Sequence, residues 1–122
     1  MKKENSSESS LSDRIGKDVG YIVKACEYIE ENYMNDLSVA DIAAYVAIDR
    51  TYLYRLFCRE KGLSPSKYLQ YVRLEASRAM MDEKKYTLSD IPGRAGFRNR
   101  SRFAEMFKKM YGVSPKVYYD EK

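Results

Sequence analysis

Apolar residues recur along this chain with the period of a helix, beginning near residue 18. Val19, Ile22, Val23, Cys26 and Ile29 fall at i, i+3, i+4, i+7 and i+10, with Glu27, Glu30 and Glu31 on the other side. This predicts a first helix over about 18–33. Residues 1–17 are polar and Ser-rich, and read as a disordered arm or linker. Ser38 with Asp41 three residues on is a capping-box pair that opens a short second helix, 39–46, with Ile42, Ala43 and Val46 inward. Asp49 can cap a third, 50–61, whose buried stripe is Leu53, Leu56 and Phe57, and Gly62 stops it.

Ser64-Pro65 is the next start signal, a hydroxyl cap followed by Pro at the first helical position. Tyr68, Leu69, Val72, Leu74, Ala76, Ala79 and Met80 carry that fourth helix to about Met81. A shorter segment runs from Leu88 to Ala95 and ends at Gly96. Asn99 can cap a helix over 100–110 with Phe103, Met106 and Phe107 inside, Gly112 follows, and Ser114-Pro115 starts a last short helix. No stretch alternates convincingly as a strand, so the fold class is all-α with about seven helices.

The chain repeats itself. Asp41-Ile42-Ala43 aligns with Asp90-Ile91-Pro92 at an offset of 49. One inserted residue later, Leu53 aligns with Phe103, Phe57 with Phe107, Gly62 with Gly112, Ser64-Pro65 with Ser114-Pro115 and Tyr68 with Tyr118. The repeated unit is short helix, tight turn, longer helix and Gly-x-Ser-Pro: a helix-turn-helix with its follow-on. The expected organisation is a first helix-turn-helix subdomain over 18–63, a linker helix over 64–82 and a second subdomain over 83–122. The linker helix, roughly 17 residues at 1.5 Å each, spans about 25 Å. With its flanking turns, two recognition helices could sit near the roughly 34 Å repeat of successive major grooves.

Composition narrows the chemistry. There is no His, which removes His-based acid–base catalysis and every imidazole metal site. Cys26 and Cys58 are too few and too far apart for a zinc cage or disulfide scaffold, and read as reduced, core or half-buried thiols of a cytosolic protein. No Gly-rich phosphate loop or carboxylate cluster suggests an enzyme. No metal or cofactor is expected. No apolar run approaches the roughly 18 residues of a membrane span, so no membrane partner is expected either. Net charge is +4, unevenly placed: residues 1–37 hold 5 Lys/Arg against 8 Asp/Glu, and residues 38–122 hold 17 against 10. A polyanion would be met by the last two thirds, although a solvated helical surface can have the same composition. The 12 Tyr include Tyr28, Tyr33, Tyr45, Tyr68, Tyr71 and Tyr118 at positions that fit half-burial.

These motifs carry a family resemblance. Tyr28-Ile29, Ser38-Val39-Ala40-Asp41-Ile42-Ala43, Tyr52-Leu53-Tyr54-Arg55-Leu56-Phe57, Gly62-Leu63-Ser64-Pro65, Tyr68-Leu69 and Arg73-Leu74-Glu75-Ala76 resemble the first half of the AraC/XylS-family DNA-binding domain. Ile91, Gly96-Phe97, Phe103, Phe107-Lys108-Lys109 and Gly112-Val113-Ser114-Pro115 resemble its second half. The resemblance covers about residues 19–119. It implies a bacterial, cytoplasmic transcription regulator acting at the nucleoid, with double-stranded DNA as partner and contact with RNA polymerase. It also implies a separate ligand-sensing regulatory domain that this sequence lacks.

Carried over position by position, the family's base-contacting sites fall on Thr51, Tyr54 and Arg55 in the first unit and on Arg100, Ser101 and Glu105 in the second. Arg55 suits a bidentate contact to guanine, and Thr51 a base edge or a thymine methyl. Arg55 could instead pair with Glu60 or Glu75, and Glu105 with Arg102 or Lys109. Arg50, Arg98, Arg102 and Lys108 are the phosphate candidates, and Arg100 could also serve there. Two positions depart from the family pattern. Pro92 replaces the usual Ala, which either delays the start of its helix or distorts it and leaves the following helix less firmly supported. Tyr119 stands where Arg is common, which predicts one fewer phosphate or capping contact.

Overall fold

The computed structural model describes residues 2–121, with side chains from Ser12 onward; Met1 and Lys122 lie outside the described residues. Seven helices and no strand occur among them: α1 Lys2–Asn32, α2 Val39–Val46, α3 Arg50–Lys61, α4 Pro65–Glu83, α5 Ile91–Arg94, α6 Arg100–Tyr111 and α7 Pro115–Glu121. The all-α expectation therefore holds.

Local chemistry sets most of the boundaries. Ser38 and Asp41 form both halves of the capping box: Asp41 N–H donates to Ser38 Oγ at 3.1 Å and Ser38 N–H to Asp41 Oδ2 at 3.0 Å. Asp49 Oδ1 accepts from Tyr52 N–H at 2.8 Å, and Asn99 Oδ1 from Arg102 N–H at 2.9 Å. Each cap satisfies an orphan donor and contributes about 1 kcal/mol. Gly62 and Gly112 close α3 and α6 in the left-handed region, at φ 72° and 83°.

The helices pack into two units. Among the described residues, unit 1 takes those up to 31 and 38–65, and unit 2 takes 32–37 and those from 66 onward. The helix expected to link the subdomains, α4, groups with unit 2 from Ser66 onward, as does the segment 32–37. In unit 1, Ile22, Ala25 and Ile29 of α1, Ile42, Ala43 and Val46 of α2, and Leu53, Leu56 and Phe57 of α3 are buried. Unit 2 has its own core of Leu74, Met81, Ile91, Phe103 and Phe107, edged by half-buried side chains including Tyr111, Tyr118 and Tyr119.

Several expectations are corrected. The arm expected over residues 1–17 is helical from Lys2, as the N-terminal extension of α1. No Pro or Gly interrupts the chain before Gly16, and an established helix gains a hydrogen bond for each residue added. The buried stripe of α1 is Asp18, Ile22, Ala25 and Ile29, whereas Val19 and Val23 are about half exposed at 49% and 51%. Both sets satisfy a helical period, and only the packing partner chooses between them. Cys58 is exposed rather than packed, Cys26 is half-buried, and neither is in a disulfide. Tyr45 and Tyr71 are exposed, whereas Tyr28, Tyr33, Tyr68 and Tyr118 are half-buried. The segment expected over 88–95 shrinks to four residues, because Pro92 falls in the first turn of α5 and the residues before it form turns.

Candidate nucleic-acid interface

The core stripe of α3 leaves its opposite face in solvent. Arg50, Thr51, Tyr54 and Arg55 are all exposed there, with Thr51 and Arg55 one turn apart. Of the carboxylates considered for Arg55, Glu60 is bound by Arg59 at 2.9 Å and Glu75 by Arg78 at 3.3 Å. Arg55 instead has its guanidinium over the Tyr52 ring, 5.9 Å from the centroid. The Tyr54 phenol is pushed up from its ordinary pKa by a hydrogen bond with the Cys58 thiol.

Tyr52 is itself anchored. Its hydroxyl donates to Asp18 Oδ1, and Arg59 Nη2 reaches Asp18 Oδ2 at 3.1 Å. The Asp18 side chain is only 7% exposed. The Tyr52 hydrogen bond, followed by Arg59, holds this carboxyl below its ordinary pKa against the opposing effect of burial. Sequence reading missed Asp18 because it lies on a charged stretch of α1. The available signal was its spacing of four from Ile22, seven from Ala25 and eleven from Ile29.

In unit 2, Phe103 and Phe107 are buried, and Arg100, Ser101, Arg102, Glu105 and Lys108 are exposed. Arg50, Arg100, Arg102, Glu105 and Lys108 make no ion pair among the described residues, so of the two alternatives for Glu105 the pairing with Arg102 or Lys109 does not form. Arg98 differs: it pairs with Asp36 at 2.6 Å, both side chains being largely exposed. Such a pair is weak and open to exchange for a phosphate. Arg100 lines an open, largely apolar cavity of about 530 Å³ together with Leu88, Pro92, Phe103 and Pro115.

The far end of α6 carries a second carboxylate network. The Tyr111 hydroxyl donates to Glu75 Oε1, and Arg78 binds Glu75 Oε2. Glu75 is thereby held below its ordinary pKa, first by Tyr111 and then by Arg78, while burial pushes the Tyr111 phenol up. Beneath the turn before α6, Arg73 donates from Nε to the Tyr33 carbonyl at 2.7 Å and from Nη2 to the Asn35 carbonyl at 2.9 Å. Tyr119 takes up a different role from the Arg common in the family: its hydroxyl donates to the Tyr86 carbonyl at 2.8 Å, and Lys84 Nζ lies 3.8 Å from its ring centroid.

Two short-helix–turn–longer-helix units, each with a capped second helix and a polar solvent face, define a double helix-turn-helix domain. Residues 42–121 match the family model for a helix-turn-helix domain. The chain belongs to that family, in its AraC/XylS DNA-binding type. It is 30% identical over 106 residues to the lactose operon transcription activator of Staphylococcus xylosus, covering 87% of this chain and 37% of that protein. It is 33% identical over 98 residues to the melibiose operon regulatory protein of Escherichia coli, covering 80% of this chain and 32% of that protein. The chain thus spans about a third of the length of these relatives. An AraC-type transcriptional regulator structure from Chromobacterium violaceum superposes with a TM-score of 0.78 at 27% identity, covering 84% of this chain and 91% of that one. No group of His, Cys, Asp and Glu among the described residues could hold a metal, and no described helix is long and apolar enough to cross a membrane.

Proposed function

We propose that this chain is the operator-reading part of a bacterial transcription regulator, binding double-stranded DNA sequence-specifically with α3 and α6 in major grooves. Thr51, Tyr54 and Arg55 of α3, with Arg100, Ser101 and Glu105 of α6, face the bases; Arg50, Arg98, Arg102 and Lys108 contact phosphates. Unit 1 supplies most of the specificity and unit 2 mainly phosphate affinity. Family membership and the charge of residues 38–122 support this reading. The observation that carries it is the exposed face of α3, where Thr51 and Arg55 stand one turn apart with no ion pair holding Arg55 among the described residues. The length of the relatives supports a separate ligand-sensing domain in the whole regulator, working with RNA polymerase in the bacterial cytoplasm.

The experiment is selection of bound sequences from a random duplex pool at about 150 mM salt, where phosphate binding alone is weak. Wild type and Arg55→Ala are run in parallel. The wild type should enrich a motif, and the variant should lose information at particular positions within it. A wild type that enriches nothing, and binds duplexes alike at every salt concentration, would make the chain a helical interaction module instead.

A further inference from the structure

Building on the reading of Arg55 as a base-contacting side chain, we propose that Asp18 is a positioning residue for that contact, acting through Tyr52. Asp18 lies on α1, outside the helix-turn-helix itself. A carboxylate this enclosed keeps its charge only with partners, and it has two, the Tyr52 hydroxyl and the Arg59 guanidinium. Both partners come from α3, one from its first turn and one from its last. Tyr21, also on α1, meets the Tyr52 ring edge-on, with centroids 6.1 Å apart and planes at 77°. The Tyr52 backbone N–H is bound by the cap Asp49. The ring is therefore fixed at its hydroxyl, at its backbone and on one edge.

The Arg55 guanidinium lies within cation–π reach of that fixed ring, 5.9 Å from its centroid. A guanidinium at the end of a long, freely rotating stem must present its fork in the plane of a guanine edge to bind two acceptors. A ring that cannot swing away narrows the orientations open to that fork. Removing the Asp18 acceptor frees the phenol to turn, and the ring within reach of Arg55 moves with it. The consequence falls on base discrimination at one position, because phosphate contacts elsewhere do not depend on where Arg55 points.

The test measures affinity of the full chain for its selected duplex and for the same duplex with the Arg55-dependent base pair exchanged. Arg55→Ala should lower discrimination between the two about tenfold. Asp18→Ala and Tyr52→Phe should each lower it about threefold. Asp18→Asn keeps an acceptor for the hydroxyl and should discriminate nearly as well as wild type. The double variant Asp18→Ala/Arg55→Ala should discriminate no worse than Arg55→Ala alone. Equal loss of affinity for both duplexes with discrimination intact, or losses that add in the double variant, would reduce Asp18 to a structural residue. If Asp18→Ala does not fold, Tyr52→Phe carries the test, since it removes one oxygen and keeps the ring. An Arg55→Ala that leaves every base preference unchanged sinks the Arg55 reading itself; loss with Arg55→Ala but not with Tyr52→Phe sinks only the role of Asp18.

Discussion

In unit 1 a phenol in the first turn of the recognition helix, Tyr52, binds the enclosed carboxylate of Asp18; in unit 2 the last residue of the helix, Tyr111, binds the partly exposed carboxylate of Glu75. Asp18 thus holds α3 at both ends, through Tyr52 in its first turn and Arg59 in its last, whereas Glu75 holds α6 through Tyr111 at its far end, its other partner Arg78 lying on α4 beside it. The end of a recognition helix that reads bases is its N-terminal end. Unit 1 fixes that end, and Arg55 lies within cation–π reach of the fixed ring. Unit 2 fixes the distal end, and Arg100 stands at the rim of an apolar cavity. An internal repeat can conserve a fold while one copy anchors the base-reading end of its second helix to a carboxylate and the other does not.

The turns within the two motifs differ as well. Ala47 and Gly96 are equivalent positions of the repeat, and both are left-handed, at φ 68° and 99°. Ala47 has room and tolerates the strained backbone. Gly96 has no choice: a Cβ there would collide with the Tyr33 carbonyl oxygen and lie 2.7 Å from Arg73 Nε. The segment 32–37 and Arg73 leave space at this turn only for hydrogen.

The largest expected effect comes from this difference. Gly96→Ala should destabilise unit 2 by about 3 kcal/mol, combining left-handed strain with overpacking against backbone. Ala47→Gly should do the opposite in unit 1, stabilising it by about 0.5 kcal/mol as strain relief outweighs the added freedom of the unfolded chain. Urea unfolding of both variants checks the pair, and equal signs would dissolve the contrast between the turns. Next in size is the division of labour. Thr51→Ala with Arg55→Ala should relax base preference by about 2 kcal/mol, and Arg100→Ala with Ser101→Ala by less. Competition binding that ranked them the other way would place specificity in unit 2. The caps sharpen the comparison more gently: Asp49→Ala and Asn99→Ala should each cost about 1 kcal/mol by the same unfolding assay. Thermal melts on acidification give the smallest effect. Asp18 and Glu75 both sit below their ordinary pKa values of 3.8 and 4.5, so each stabilises the fold at higher pH. That stabilisation is lost as pH falls through the carboxylate range and their bound forms protonate. Asp18→Asn should flatten the part belonging to unit 1 and leave the Glu75 part.

Helices α2 and α3 begin and end where sequence reading puts them, because Ser38, Asp41, Asp49 and Gly62 act within three or four residues of themselves. The exposure of Thr51, Tyr54, Arg55, Arg100, Ser101 and Glu105 was legible for a related reason: Leu53, Leu56, Phe57, Phe103 and Phe107 claim the other face. Pro92 signalled a disturbed helix and left two outcomes open; the structure has the late start, with Pro92 in the first turn of α5.

Periodicity could not choose between Val19 and Val23 on one side of α1 and Asp18 and Ala25 on the other, since a helix offers both and a neighbour takes one. Nor could it join Asp18 to Tyr52 and Arg59, or Glu75 to Tyr111, across 34 to 41 residues of chain. The amino-acid sequence alone determined α2, α3 and α6, their caps, the repeat and the faces that α3 and α6 leave to solvent, because those follow from interactions within a turn or two. The tertiary structure alone decided which face of α1 is buried, why Gly96 must be glycine and where along its length each recognition helix is held. Those depend on atoms brought together from distant parts of the chain, and local pattern carries no record of them.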